Sequence, residues 1–330
     1  MGENTGKVVD LAAVAVSQNS PVRKATVRTG DDWVWIRTLP SGEHCGHFSK
    51  EIKLRRFVEL DDLFFEGLGL WLGEGGKYKG LYFGNSEPAL LRHFLKFAEN
   101  KLGLGRDKFR ATVNASTSLN ADKVKERLAS ELSVPLQNFT RICVDPRIRR
   151  EYTQLYFNSV ILAGIMEELY LRSKLFAFKD QMVSAALLRG FFAAESSVVL
   201  KKSGVLHHIS FSSKDSEFIL LFKQCLRLVG VTPNSYSTKG MKLQIYGLPN
   251  FRRIRELNIH TLHPEKRAKF ERGFASYRRT NVMDGEEARK LVLQQLASGP
   301  KTYDELAAAL GKARTTIQAH HIPILEKRGW

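Results

Sequence analysis

Gly69-Leu70-Trp71-Leu72-Gly73-Glu74-Gly75 and Gly190-Phe191-Phe192-Ala193-Ala194-Glu195-Ser196 are the two stretches whose reading decides the fold. Each opens on a glycine, runs through apolar or small residues and reaches a glutamate five positions later. Asp61-Asp62 supplies an N-cap and Gly75-Gly76 a stop, so the first run predicts a helix over 62–74; the second predicts one over 181–195. Both helices are apolar nearly all the way round and must be buried. Gly69 and Gly190 permit backbone-to-backbone approach at a cost in helix propensity. Each glutamate stands at a helix C-terminus, which carries roughly half a negative charge and disfavours an acid. Packed as a symmetric pair, the two carboxylates would also repel each other. A divalent cation relieves both penalties; either glutamate alone reads as a solvated helix end, but the matched offset points to a shared metal site at Glu74 and Glu195.

Outward from these helices the chain repeats itself. Leu81-Tyr82-Phe83-Gly84-Asn85-Ser86 leads into a helix ending near Leu102-Gly103-Leu104, and Ile209-Ser210-Phe211-Ser212-Ser213 leads into one ending near Val229-Gly230-Val231. Ser86 to Gly103 and Ser213 to Gly230 both span seventeen residues. Each copy predicts an α/β unit: apolar helix, strand pair, amphipathic helix, second strand pair and closing helices.

With both copies in view the sequence resembles the LAGLIDADG homing endonucleases. Gly69–Gly75 and Leu188–Ser196 resemble the two signatures, with Glu74 and Glu195 at the metal-binding positions and Ser196 in place of the usual glycine. The resemblance covers about residues 54–270. It implies an α+β fold of two pseudo-symmetric αββαββα units in one monomer, with two antiparallel sheets forming a saddle over duplex DNA and Mg²⁺ (or another divalent cation) assisting cleavage of both strands. Active relatives usually carry a lysine on the last strand of each half. In the second half, Met241–Tyr246, Gln244 stands nearest that position, with Lys242 or Lys239 as substitutes; in the first, Thr153–Phe157 has no lysine. The alternative is a LAGLIDADG-derived DNA-binding transcriptional regulator that has lost cleavage.

Charge agrees with a polyanionic partner. The 330 residues carry 51 Lys+Arg against 34 Asp+Glu, a net +17, which points to nucleic acid. Residues 249–280 hold nine basic groups, among them Arg252 and Arg253, against three acids, and Arg141, Arg147, Arg149 and Arg150 form a second cluster. These predict phosphate contacts and salt-sensitive binding. Base reading falls to strand residues such as Asn114, Ser116, His208, Ser210, Ser212, Ser235 and Ser237.

The flanks read as separate modules. Residues 1–60 are expected to form a mobile tail (1–21) and a small β appendage, 61–175 the first half, 176–282 the second and 283–330 an all-α winged-helix or helix-turn-helix module. In that module Thr302-Tyr-Asp-Glu305 is a capping box, and Arg314, Thr315, Thr316 and Gln318 open the recognition helix. Cys45, Cys143 and Cys225, an odd and scattered set, suggest reduced thiols. Without a signal-peptide pattern or a 20-residue apolar run, no membrane association is expected and a cytoplasmic, DNA-associated location is. Glu43-His44-Cys45-Gly46-His47 lacks a complete zinc set, and no phosphate-binding glycine loop or Ser/His/Asp constellation is present.

Overall fold

The protein was analysed as a computed structural model that describes residues 8–17, 24–39, 50–75, 80–116, 121–235, 241–277 and 285–329. Ser237, Lys239 and the 43–47 segment fall outside them. The chain divides into two units, Met1–Ser276 and Tyr277–Trp330.

The first unit opens with β1 (Val8–Asp10), α1 (Leu11–Ser17), strands β2 (Lys24–Thr29), β3 (Trp33–Leu39) and β4 (Ile52–Arg55), and β5 (Phe57–Glu59). Within the tail expected over 1–21, Val8–Ser17 therefore form regular structure instead. β1 pairs antiparallel with β5, and Leu11, Val14 and Ala15 of α1 are buried. A seven-residue helix of small apolar residues is too short to form unaided; it exists because Leu11 and Val14 are covered by the fold. β2, β3 and β4 make an antiparallel sheet in that order, as the alternating pattern predicts.

Next come α2 (Asp62–Glu74), β6 (Gly80–Asn85) and α3 (Pro88–Phe97), the last continued by a π-helical turn, Ala98–Leu102. They are followed by β7 (Arg110–Ala115), α4 (Ala121–Leu132), β8 (Phe139–Val144), β9 (Tyr152–Asn158) and α5 (Val160–Ala177). Asp61 caps α2 by accepting the Phe64 N–H at 3.0 Å. The sheet order is β6-β9-β7-β8. It corrects two expectations: among the described residues one strand, not two, lies between α2 and α3, and β8 runs parallel to β7. Helix α4 is the reason, because a parallel neighbour requires a crossover longer than a hairpin turn.

The remainder of the unit is α6 (Gln181–Glu195), β10 (Ser196–Leu200), β11 (Leu206–Ser212), α7 (Ser216–Leu228), β12 (Asn234–Ser235), β13 (Lys242–Ile245), α8 (Leu248–Glu256) and α9 (Pro264–Ala275). Its sheet, β10-β11-β13-β12, is antiparallel throughout. Phe191 and Phe211 stack with centroids 5.8 Å apart in this core, and Phe83 and Phe94 with centroids 4.6 Å apart in the other.

The equal seventeen-residue spacing conceals a one-residue offset. Asn85 accepts the Glu87 N–H at 2.9 Å and Ser213 accepts the Asp215 N–H at 3.1 Å, so Asn85, not Ser86, is the counterpart of Ser213. Glu87 and Asp215 are the N-caps of α3 and α7. The extra residue this leaves before Gly103 is taken up by the π-helical turn, which widens the helix by one residue.

α2 and α6 meet through their glycines. A Cβ at Gly69 would lie 2.3 Å from the Leu187 carbonyl oxygen, and one at Gly190 2.1 Å from that of Glu66. One turn on, a Cβ at Gly73 would lie 2.5 Å from that of Ala194. Arg189 braces the crossing, bonding Asp62 at 3.0 Å and Glu66 at 3.2 Å.

The second unit comprises α10 (Gly285–Ala297), α11 (Tyr303–Leu310), α12 (Arg314–Thr316) and α13 (Ile322–Lys327) around Ala288, Val292, Leu306, Leu310, Ile317 and Leu325. The capping box forms as predicted. A π-helical turn over Ile317–His321 joins α12 to α13 ahead of Pro323, whose ring would clash with the carbonyl four residues back in a regular helix. No helix among the described residues is long and apolar enough to cross a membrane.

Candidate nucleic-acid interface and carboxylate pair

Strand alternation gives each sheet one face against helices and one face away from them. In the first sheet Leu81, Phe83, Ala111, Val113 and Leu155 point inward and are buried. The cross-strand row Gly84-Gln154-Thr112-Arg141 and the pair Tyr82-Tyr156 therefore occupy the outer face; the two tyrosine rings stack with centroids 5.8 Å apart. In the second sheet Ile209, Phe211, Leu243 and Ile245 are buried inward, which leaves His208, Ser210 and Ser212 on the outer face, with Gln244 opposite Ser210 and Lys242 opposite Ser212. Three predicted base-reading residues thus share one face. Ser210 and Gln244 are themselves buried, beneath a cluster in which Tyr246 donates to Gln244 at 2.5 Å and Gln244 lies 3.4 Å from the His208 ring. Burial and the neighbouring His207 and Lys242 push the His208 pKa down. Ser235 ends β12.

Glu74 and Glu195 stand on the last residues of α2 and α6, brought together by the glycine crossing. Burial, then the charge of Glu195, raise the Glu74 carboxyl to a pKa of about 7, against the opposing charge of Lys266. Tyr152, whose hydroxyl occupies the space that a Cβ on Gly84 would need, is pushed up to about 12 by burial and by Glu74. Ser196 donates its hydroxyl to the Phe192 carbonyl at 2.6 Å, so the non-glycine residue of the second signature caps its own helix.

Lys266, read from the sequence only as one of the nine basic groups of the 249–280 strip, has a different role. It comes from the first turn of α9, and its ammonium donates to the carbonyls of Ala193 at 2.6 Å, Ala194 at 3.0 Å and Phe192 at 3.3 Å. It therefore caps the negative pole of α6 while carrying a positive charge beside both glutamates. Burial lowers its pKa to about 8, and Glu74, Glu195 and Glu265 oppose that shift. His263, the α9 N-cap, is lowered to about 4 by burial and the Lys266 charge. Nothing within His263-Pro-Glu-Lys266 marks the lysine locally; its role arises from where α9 docks. Replacing Lys266 by Met is expected to cost about 2–4 kcal/mol in urea unfolding at neutral pH, since three carbonyls and two carboxylates lose their cation. Stability within about 0.5 kcal/mol of wild type would show the cap to be dispensable.

The predicted phosphate contacts are dispersed. Arg141 lies on the outer face. Arg147 folds onto its own Asp145 at 2.8 Å, Arg149 lines a depression with Arg127 and Ser86, and Arg150 bonds Glu265 at 2.6 Å, tying the segment before β9 to α9. Arg252 is exposed on α8, but Arg253 donates to the Val229 carbonyl at 2.8 Å and holds the end of α7. The basic strip over 249–280 is thus partly structural. Arg314, Thr315 and Thr316 form α12, and Gln318 lies in the following π-helical turn. Lys242 sits on β13 opposite Ser212. Among the described residues no group of three or more His, Cys, Asp or Glu side chains is placed to hold a metal; the acid pair offers two carboxylates.

A family profile described as a LAGLIDADG-like domain matches residues 182–258. No curated protein matches. Among solved structures, mesophilic variants of the homing endonuclease I-DmoI are similar over 64% of this chain and 98% of theirs, at 16% identity and a TM-score of 0.37. Full-length DUF199/WhiA from Thermatoga maritima is similar over 81% of this chain and 91% of its own, at 13% identity and a TM-score of 0.39. The N-terminal LAGLIDADG domain of DUF199/WhiA covers 60% and 83%, at 14% identity and a TM-score of 0.35. The chain carries a LAGLIDADG-like domain in the second half of its larger unit.

Proposed function

We propose that the protein binds duplex DNA through the outer faces of its two sheets and hydrolyses a phosphodiester in each strand at Glu74 and Glu195. The observation that supports this reading is the convergence of the Glu74 and Glu195 carboxylates at the ends of two buried, glycine-crossed helices. The glycine crossing serves that convergence, since residues with a Cβ would hold the helix ends apart. Burial and then the Glu195 charge raise Glu74 to about 7, with Lys266 opposing; a further cation would relieve the repulsion between the two acids. Two carboxylates suit a hard divalent ion such as Mg²⁺. Glu74 and Glu195 would hold it, and a bound ion supplies a deprotonated water at neutral pH and stabilises the leaving oxygen. Lys266 keeps the α6 terminus in place, Tyr152 covers the Glu74 side, and Arg141 with the strand polar groups holds the backbone.

A second reading, a DNA-binding regulator without cleavage, is favoured by one observation. Lys266 spends its donors on three carbonyls and already lends the pair a positive charge. Supercoiled plasmids carrying a randomised insert separate the readings. With Mg²⁺ the endonuclease yields linear product from a subset of sites and none with chelator. Salt-sensitive, site-selective binding with neither nicked nor linear product establishes the regulator instead. In either case the logarithm of affinity should fall steeply with that of salt between about 50 and 200 mM; a flat response would remove the phosphate-binding argument.

A further inference from the structure

The N-terminal appendage presents a face to which the reading above gives no role. Val34, Ile36, Ile52 and Leu54 are buried on one side of its sheet, so alternation sends Arg28, Trp33, Trp35, Arg37, Lys53 and Arg55 to the other. Register sets Arg28, Trp35 and Lys53 abreast on three adjacent strands, and Trp33 beside Arg55. The Arg28 guanidinium lies 4.8 Å from the Trp35 ring centre. The Lys53 ammonium lies 4.3 Å from that of Trp33 and 5.5 Å from that of Trp35. Arg28 also meets Glu51 at 3.5 Å in an exposed pair, which contributes little.

Both tryptophans are half-buried, and Trp33 packs against Gly103. Here they hold two long cationic side chains upright at the surface, so part of the rotamer entropy normally lost when lysine or arginine meets an anion is already spent. Because cations cover the indole faces, the sheet is no open platform for stacked bases; it presents fixed positive charges to a phosphate chain. Behind this sheet, on the side of Ile36 and Ile52, a groove of about 820 Å³ is lined also by Lys50, Lys108, Arg110 and Tyr156. Its acids are engaged, Asp107 with Lys108 at 3.0 Å and Glu51 with Arg28.

We infer that the Arg28-Trp35-Lys53 face is a second, sequence-independent phosphate-binding surface that takes the duplex flanking the target site. The inference rests on the DNA-binding reading and extends it beyond the two large sheets. The test uses the full chain and a triple variant, Arg28→Gln, Lys53→Gln and Arg55→Gln, which leaves both tryptophans and the buried side intact. Its thermal midpoint is compared with wild type, and Arg28→Lys serves as the charge-preserving control. Binding is measured by anisotropy on selected-site duplexes lengthened stepwise from about 15 to about 40 base pairs over a range of salt.

On the longest duplex the triple variant should lose about two to three in the slope of log affinity against log salt, close to 0.9 per phosphate contact removed. It should bind several-fold more weakly near physiological salt and match wild type on the shortest duplex. Arg28→Lys should behave as wild type. Equal slopes on long duplexes, with tight binding by both proteins, would overturn this inference and leave the DNA-binding reading standing. Absence of duplex binding by wild type would overturn both. Anionic-lipid vesicles retained through the same three cations, with no length effect on DNA, would likewise overturn it and assign the face to membranes.

Discussion

Glu74→Gln and Glu195→Gln proteins should fold, bind duplex DNA as wild type does and lose cleavage by about a thousandfold or more, because a neutral amide replaces a metal-binding carboxylate. Supercoiled plasmid bearing the selected site, followed for nicked and linear forms, reads the outcome. If one ion serves both strands, either single variant abolishes both cuts. If each half holds its own ion, single variants nick. Undiminished cleavage by the double variant would place the active site elsewhere.

The same substitution has a stability consequence whose sign follows from the site. The Glu74 pKa rises from its ordinary 4.5 to about 7 on folding. Between those values the folded state keeps a proton that the unfolded chain has released, so stability falls as pH rises through the window and the full penalty is present above pH 7. Glu74→Gln removes that penalty. With chelator present it should be more stable than wild type at pH 8 by about 1–3 kcal/mol, a range discounted for partial solvent screening, and the gain should vanish near pH 4.5. Urea midpoints at several pH values decide; a gain unchanged across that range would mean that glutamine stabilises for another reason.

The second large effect concerns the helix crossing. Gly190→Ala improves local helix propensity by about 1 kcal/mol, yet it should destabilise the protein by about 4 kcal/mol or prevent folding. The new Cβ would lie 2.1 Å from the Glu66 carbonyl oxygen and 2.9 Å from the Leu70 nitrogen, and main-chain atoms cannot rotate aside as a flexible side chain would. Gly204→Ala is the matched control. There φ is +83° but nothing lies within 4 Å of the added carbon, so only backbone strain of about 1 kcal/mol is expected. Chemical denaturation of both variants gives the ranking, and equal losses would show that the contact between α2 and α6 adjusts more freely than its distances indicate.

Sequence alone determined the elements whose signals are local. The Asp61 N-cap, the all-round apolar runs and the terminal glutamates fix α2 and α6; the Thr302–Glu305 capping box fixes the start of α11; alternation fixes β2, β3 and β4. The pairing of Glu74 with Glu195 was legible because the offset from a helix-packing glycine occurs twice. The tertiary structure decided what depends on partners distant in the chain. α1 forms only because the core covers Leu11 and Val14. The crossover helix α4 makes β8 parallel, and the π-helical turn at Ala98–Leu102 absorbs a residue that equal spacings had hidden. The cation that caps α6 beside the glutamates comes from α9, because the carbonyls of Phe192, Ala193 and Ala194 attract whichever ammonium the fold delivers to them, and no residue near Lys266 encodes that meeting. A local signal is written within a few residues of the group it controls, whereas a charge placed across a crossing of helices is fixed only when the helices meet.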